Sequence, residues 1–176
     1  MFTILRHPVD TAISEFYYLQ DATWEVNYAP ETKDWTVQQY ADSRLSNKNF
    51  VVRQLVNKPS GLLYEADLEL AKEILREKFV IGLMNQMDES VRRFDLYFGF
   101  RKTDDTARCV HKILHPDRSS STDGGTNSHP HPKILEGAPE WEAIARNNYF
   151  DIQLYEFALG LFEEQAVLFE DASVHI

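Results

Sequence analysis

The chain has 176 residues, 43% of them hydrophobic, with 18 Lys and Arg against 28 Asp and Glu, which sets the formal net charge at −10. That length and apolar content suffice for one buried core, so a single domain over 1–176 is expected. The acidic balance argues against nucleic acid or any other polyanion as a partner of the general surface. No apolar run reaches the roughly 18 residues of a membrane span, and the first residues lack the basic-then-apolar plan of a signal peptide. One cysteine, Cys109, cannot form an internal disulfide.

The first apolar run, Phe2–Leu5, ends at Arg6, and Pro8 then opens an amphipathic segment. This is the pattern of a buried strand running into a helix, since proline suits the first helical position, where its missing N–H is not needed. In α/β folds ligands bind outside the carboxyl ends of strands. A helix start at that place offers free N–H groups, and Arg6 adds a guanidinium suited to phosphate. The strand–helix junction is therefore expected to be an anion site.

Val9 to Leu19 reads as a helix, with Val9, Ile13, Phe16 and Tyr17 near helical spacing. Asp21 to Asp34 is polar and turn-like, Trp35–Ala41 and Asn49–Val56 read as short helices, and Lys58-Pro59-Ser60-Gly61 as a turn. Glu65–Arg76 carries Leu68, Ala71 and Leu75 on one stripe with acidic residues at its start, which predicts an amphipathic helix. Lys78–Leu83 is the second apolar, β-branched run and reads as a buried strand. Asp88 is expected to cap a helix carrying Val91, Phe94 and Phe98. Helix, strand, helix in this order is the grammar of a parallel α/β sheet.

His115 to Gly137 is rich in serine, glycine, histidine and proline and is expected to be a long irregular loop. Pro139–Arg146 begins a helix, and Asp151–Phe169 is the longest one, with Tyr155, Ala158, Phe162 and Phe169 facing inward. Two strands are too few for a doubly wound sheet. The fold class is therefore α/β with a parallel sheet, expected to be incomplete at its N-terminus, with part of the fold upstream of Met1.

Taken together, several blocks carry a family resemblance. They are Leu5-Arg6-His7-Pro8-Val9, Ser14-Glu15, Gln20 with Ala22-Thr23-Trp24, and Asp34-Trp35-Thr36. Further along come Asn49 with Val52-Arg53 and Leu55, Gly82-Leu83, and Phe150 to Ala158 with Leu161-Phe162. In this order the chain resembles the carbohydrate sulfotransferases that use 3′-phosphoadenosine 5′-phosphosulfate (PAPS), most closely the heparan sulfate 6-O-sulfotransferases. The resemblance implies a P-loop NTPase-like three-layer sandwich, of which this chain would be the carboxyl-terminal part. It also implies PAPS as co-substrate without a metal, a carbohydrate acceptor such as a glycosaminoglycan, and residence in the Golgi lumen.

By the same resemblance, Arg6 and Ser14 bind the 3′-phosphate of the donor. A phosphate dianion accepts from a guanidinium and a hydroxyl, and Ser14 lies roughly 9 Å beyond Pro8 at 1.5 Å per helical residue. The family block commonly has aspartate after the arginine and a second arginine five positions on; His7 and Thr11 stand there in this chain. The family's phosphate loop and its catalytic histidine or glutamate precede the position matched by Arg6. No G-x-x-K-x-[GS]-[ST] loop occurs anywhere in the sequence, so the catalytic base and the sulfate-activating loop are expected outside it.

Related enzymes carry a loop over the nucleotide in the region of His115–Gly137, which makes Arg118, Ser119, Asn127 and Ser128 candidates for donor contacts. Trp24 and Trp35 are candidates for stacking on sugar or adenine, although large aromatics commonly serve the core. His129-Pro130-His131-Pro132, with His111 and His115, invites a metal reading, but one cysteine and an irregular loop do not make a closed tetrahedral site, and no metal is expected. Arg92-Arg93 and Arg101-Lys102 read as solvated helix-face charges or as contacts to a sulfated glycan. Two further readings stand beside the enzyme. One is a non-catalytic remnant or interaction module that at most binds a 3′-phosphonucleotide. The other is a truncated chain with an unpaired sheet edge.

Overall fold

The computed structural model describes residues 1–100, 103–115 and 131–169. The protein is mixed α/β and mostly helical, with a small parallel sheet of two strands, β1 (Phe2–Leu5) and β2 (Val80–Leu83). Phe2 lies opposite Val80 and Leu5 opposite Leu83. The parallel crossover between them runs through α1 (Pro8–Tyr18), α2 (Val37–Asp42), α3 (Phe50–Leu55) and α4 (Glu65–Lys78). After β2 come α5 (Met87–Phe98), α6 (Asp104–Leu114), α7 (Pro139–Asn147) and α8 (Tyr149–Glu164), with a 3-10 turn over Gln165–Phe169.

Side chains alternate across the strands and so sort the packing. Leu5, Ile81 and Leu83 face a core built with Val52 of α3, Leu68, Ala71 and Leu75 of α4, and Leu154, Ala158, Leu161 and Phe162 of α8. The opposite face meets α5. Phe2 packs on Phe94 with ring centroids 4.7 Å apart, and Val80 clusters with Phe94 and Phe169. Gly82 lets α5 come close, since a Cβ there would lie 2.6 Å from Phe94 Cζ and 3.1 Å from Ser90 Cβ. A second core joins α1, α2 and α7 through Val9, Ile13, Phe16, Tyr40 and Ile144.

Local chemistry sets the element ends. Pro8 opens α1 as its spacing predicts, and Gly99 closes α5 at φ +67°, a conformation that glycine adopts without strain. Asp88 does not cap α5 as expected; it lies inside the first turn, where its charge suits the helix dipole, and the cap position belongs to Gln86. The helices α3 and α8 cap each other. Asp151 accepts from Val51 N–H at 2.9 Å and Val52 N–H at 2.8 Å, while Asn49 Oδ1 accepts from Phe150 N–H at 2.8 Å and Asp151 N–H at 3.2 Å. Burial raises the Asp151 carboxyl above its ordinary range, against the pull of these N–H groups.

The inward stripe of α8 also differs from expectation. Leu154, Ala158, Leu161 and Phe162 are buried, and Tyr155 is half-buried, packed against this core and edge-on to His7 at the start of α1. Phe169 is buried but belongs to the closing 3-10 turn. Helix α6 is an addition to the predicted elements. It begins at a capping box in which Thr103 and Thr106 bond each other's N–H.

Candidate functional site

Arg6 follows the last residue of β1 and precedes the α1 N-terminus. It is half-buried, and among the described residues it makes no hydrogen bond or ion pair. Beside it, no side chain caps α1: His7 occupies the cap position without a side-chain bond, and Pro8 has no N–H to satisfy. The first-turn N–H groups of Val9 and Asp10 precede any intrahelical acceptor. A free guanidinium thus stands next to an open positive helix end, an arrangement that favours an anion.

Ser14 lies in the body of α1, half-buried, and no described side chain or backbone group takes its hydroxyl. Asp10, Ser14 and Tyr17 are spaced to share one helix face. That face looks toward the segment 131–141, because Tyr17 stacks flat on His131 with centroids 5.2 Å apart. One turn earlier, His7 packs on Trp141 at 5.9 Å and edge-on to Tyr155 at 5.4 Å. Burial and the nearby Asp10 both raise the Tyr155 hydroxyl above its ordinary value, so it stays neutral at physiological pH and can donate.

The two departures from the family block have structural uses. His7 fills the space between Trp141 and Tyr155, and Thr11 Oγ1 donates to His7 C=O at 3.2 Å. Glu15, next to Ser14, holds the fold: it accepts from Tyr40 Oη at 3.1 Å and Asn47 Nδ2 at 2.7 Å, and burial raises its carboxyl.

The tryptophans part company. Trp24 is exposed and donates through Nε1 to Tyr18 Oη at 3.0 Å. Trp35 is half-buried against the α1–α2–α7 core and lines an open groove of about 450 Å³ with Tyr17, Thr36, Lys133 and Glu140. Trp35 therefore shares a groove with the Ser14 face through Tyr17, whereas Trp24 does not line it. Arg118, Ser119, Asn127 and Ser128 lie outside the described residues, as do Arg101 and Lys102.

The remaining basic and histidine candidates serve the fold or sit elsewhere. Arg93 is buried; its guanidinium lies 3.7 Å from the Phe162 ring centroid and donates to Phe162 C=O and to Glu89. Arg92 pairs with Glu89 on the α5 surface. His115 meets Asp88 at 2.8 Å beside a cavity of about 310 Å³ between α5 and α6, remote in sequence from the β1–α1 junction. Among the described residues no group of three or more His, Cys, Asp or Glu is arranged to hold a metal ion, and no helix is long and apolar enough to cross a membrane.

No protein-family model matches the chain, and neither a curated protein nor a solved structure matches it. The geometry of the β1–α1 junction therefore carries the functional argument.

Sequence reasoning missed the side chains that finish the sheet. Gln165 and Ser90 bond the outer edge of β2, and neither stands in a motif. The signal for the α3–α8 lock was faint but present, as an Asn and an Asp each placed where a helix begins.

Proposed function

We propose that this chain is the carboxyl-terminal part of a carbohydrate O-sulfotransferase, and that the β1–α1 junction holds the 3′-phosphate of PAPS. The observation that carries the reading is Arg6, a guanidinium without a partner among the described residues, set beside the uncapped start of α1. A phosphate there accepts from Arg6 and from the Val9 and Asp10 N–H groups, with Ser14 supplying a hydroxyl along the helix flank. Trp35 and Tyr17 line the adjacent groove, which suits an aromatic or sugar ring.

In the reaction, the oxygen of an acceptor hydroxyl attacks sulfur as the S–O bond to the donor's 5′-phosphate breaks. The hydroxyl proton passes to a base, and 3′,5′-adenosine bisphosphate leaves. In-line transfer of this kind depends on positioning and charge neutralisation, and Arg6 and Ser14 contribute positioning alone. The phosphate loop and the base belong to sequence outside this chain. On this reading the domain is the carboxyl-terminal portion of a three-layer P-loop sandwich, the acceptor is a polysaccharide such as a glycosaminoglycan, and the compartment is the Golgi lumen.

Calorimetric titration with 3′,5′-adenosine bisphosphate and, separately, with adenosine 5′-monophosphate tests the 3′-phosphate site. The bisphosphate is expected to bind at least about tenfold more tightly, a difference of about 1.4 kcal/mol, and Arg6→Ala is expected to erase the difference. Equal binding of the two nucleotides, or a preference that survives Arg6→Ala, overturns the reading.

A further inference from the structure

Helix α5 turns Ser90 and Phe94 toward the sheet. Asp88, Val91, Arg92 and Asp95, spaced three and four apart, share another face. Helix α6 runs back along that face until His115 meets Asp88 at 2.8 Å. Between the two helices lies the cavity of about 310 Å³, with apolar walls of Val91, Phe100, Ala107, Val110 and Leu114. Helix α6 is amphipathic, yet none of its side chains is fully buried. Its apolar stripe of Ala107, Val110 and Leu114 is thus turned to the cavity and belongs to no core cluster of the described residues.

We infer that this cavity is a binding site for an uncharged, compact apolar molecule of two-ring size that carries one hydroxyl. Volume sets the size. An apolar cavity of about 150 Å³ holds benzene, and this one has about twice that room. Charge sets the class. The ionised groups on the lining are already engaged within the chain: Asp88 with His115, Arg92 with Glu89, and Asp95 as well. A charged ligand would either sit between apolar walls without a counter-ion or break one of these pairs, and both are costly.

His111 supplies the partner for the hydroxyl. It lines the cavity, and its ring lies 4.9 Å from that of His115, but it makes no hydrogen bond among the described residues. A neutral imidazole offers one nitrogen as donor and the other as acceptor, which matches a hydroxyl. Thr106 also lines the cavity, but its Oγ1 already donates to Thr103 C=O and accepts from Thr103 N–H. The inference stands apart from the proposed donor site, since it uses neither Arg6 nor Ser14.

The test is a fluorescence titration of the full 176-residue chain, near neutral pH, with naphthalene, naphthol, naphthoate and naphthylmethylammonium. Naphthol is expected to bind at least about tenfold more tightly than either ion, and about fivefold more tightly than naphthalene, the net worth of one hydrogen bond. His111→Leu is expected to bring naphthol down to the level of naphthalene. Ala107→Trp, on the cavity wall and open to solvent, is expected to fill the space and abolish the binding of both. An ion bound as tightly as naphthol overturns the inference, and so does naphthol that fails to bind up to its solubility limit. Binding that survives Ala107→Trp, or a preference over naphthalene that survives His111→Leu, overturns it as well. Helical circular dichroism of each variant separates loss of the cavity from loss of fold, and the comparison of the four probes on the unaltered chain needs no variant.

Discussion

The two strands of the sheet are equally short and parallel, yet their outer edges are completed by opposite means. On β2, Gln165 reaches in as a substitute strand: its Oε1 accepts from Ile81 N–H at 2.9 Å and its Nε2 donates to Phe79 C=O at 2.8 Å. Ser90 Oγ accepts from Leu83 N–H at 2.8 Å further along the same edge. On β1, Phe2 and Ile4 present the same main-chain groups with no described partner. The difference follows from burial. Ile81 and Leu83 are fully buried, so their donors must be satisfied within the protein, whereas Phe2 and Ile4 are open to water and lose little. An edge that is satisfied internally ends a sheet, and one that relies on water can be extended.

The comparison breaks most visibly at Gln165. Gln165→Leu keeps the volume but leaves Ile81 N–H and Phe79 C=O unpaired, and each such group costs about 1–3 kcal/mol. Urea unfolding is expected to show a loss of about 3 kcal/mol, while Ile4→Thr on the open edge stays within about 0.5 kcal/mol. Similar losses at the two sites would mean that the β1 edge is also held from within. Hydrogen exchange offers a second view: the Ile81 and Leu83 amides are expected to be protected to near the global limit, and those of Phe2 and Ile4 to exchange fast.

Gly82 comes next. It lies between the two edges, and an added Cβ would sit 2.6 Å from Phe94 Cζ and 3.1 Å from Ser90 Cβ. Gly82→Ala must push α5 away, and with it the hydroxyl that bonds Leu83, so a loss of about 1–3 kcal/mol is expected from overpacking. The shift should deprotect the Leu83 amide more than the Ile81 amide, because Gln165 does not ride on α5. Equal deprotection of both would refute separate support for the two donors.

The division between readable and hidden features follows the range of the forces involved. The strand Phe2–Leu5, the Pro8 helix start, the Leu68–Ala71–Leu75 stripe and the strand ending at Leu83 are local patterns of hydrophobicity and capping, and all are present within a few residues of their expected limits. Helix α6 escaped notice because none of its side chains is fully buried, so its signal lies in the Thr103–Thr106 box and not in a core stripe. Gln165 and Asp151 act on residues 84 and 99–100 positions away, and no window along the chain contains both partners. The half-burial of Arg6 and its lack of a partner among the described residues are likewise tertiary facts, whereas its place after an apolar run and before a proline is plain in the sequence.

The smallest expected effect separates the edges by pH. Glu89 on α5 sits between Arg92 and Arg93, whose hydrogen bonds, that of Arg92 first, hold its carboxyl well below the ordinary 4.5, at about 2. Arg93 in turn donates to Phe162 C=O at the end of α8, just before Gln165, so this ion pair braces the closed edge. A carboxylate whose folded pKa is depressed contributes stability above its unfolded pKa and loses that contribution as pH falls toward the folded value. The stability gap between the wild-type chain and Glu89→Gln is therefore expected to be constant above about pH 5 and to close between pH 4.5 and about 2. Asp151 and Glu15 work in the opposite direction, since burial raises both, and acid relieves their cost. They are common to both proteins and cancel in the difference. Ile81 exchange should follow the closing gap and Phe2 exchange should not, because Met1 to Leu5 contain no titrating side chain. A gap that ignores pH would mean that Glu89 supports Arg93 through shape alone, and that the bracing of the closed edge owes nothing to charge.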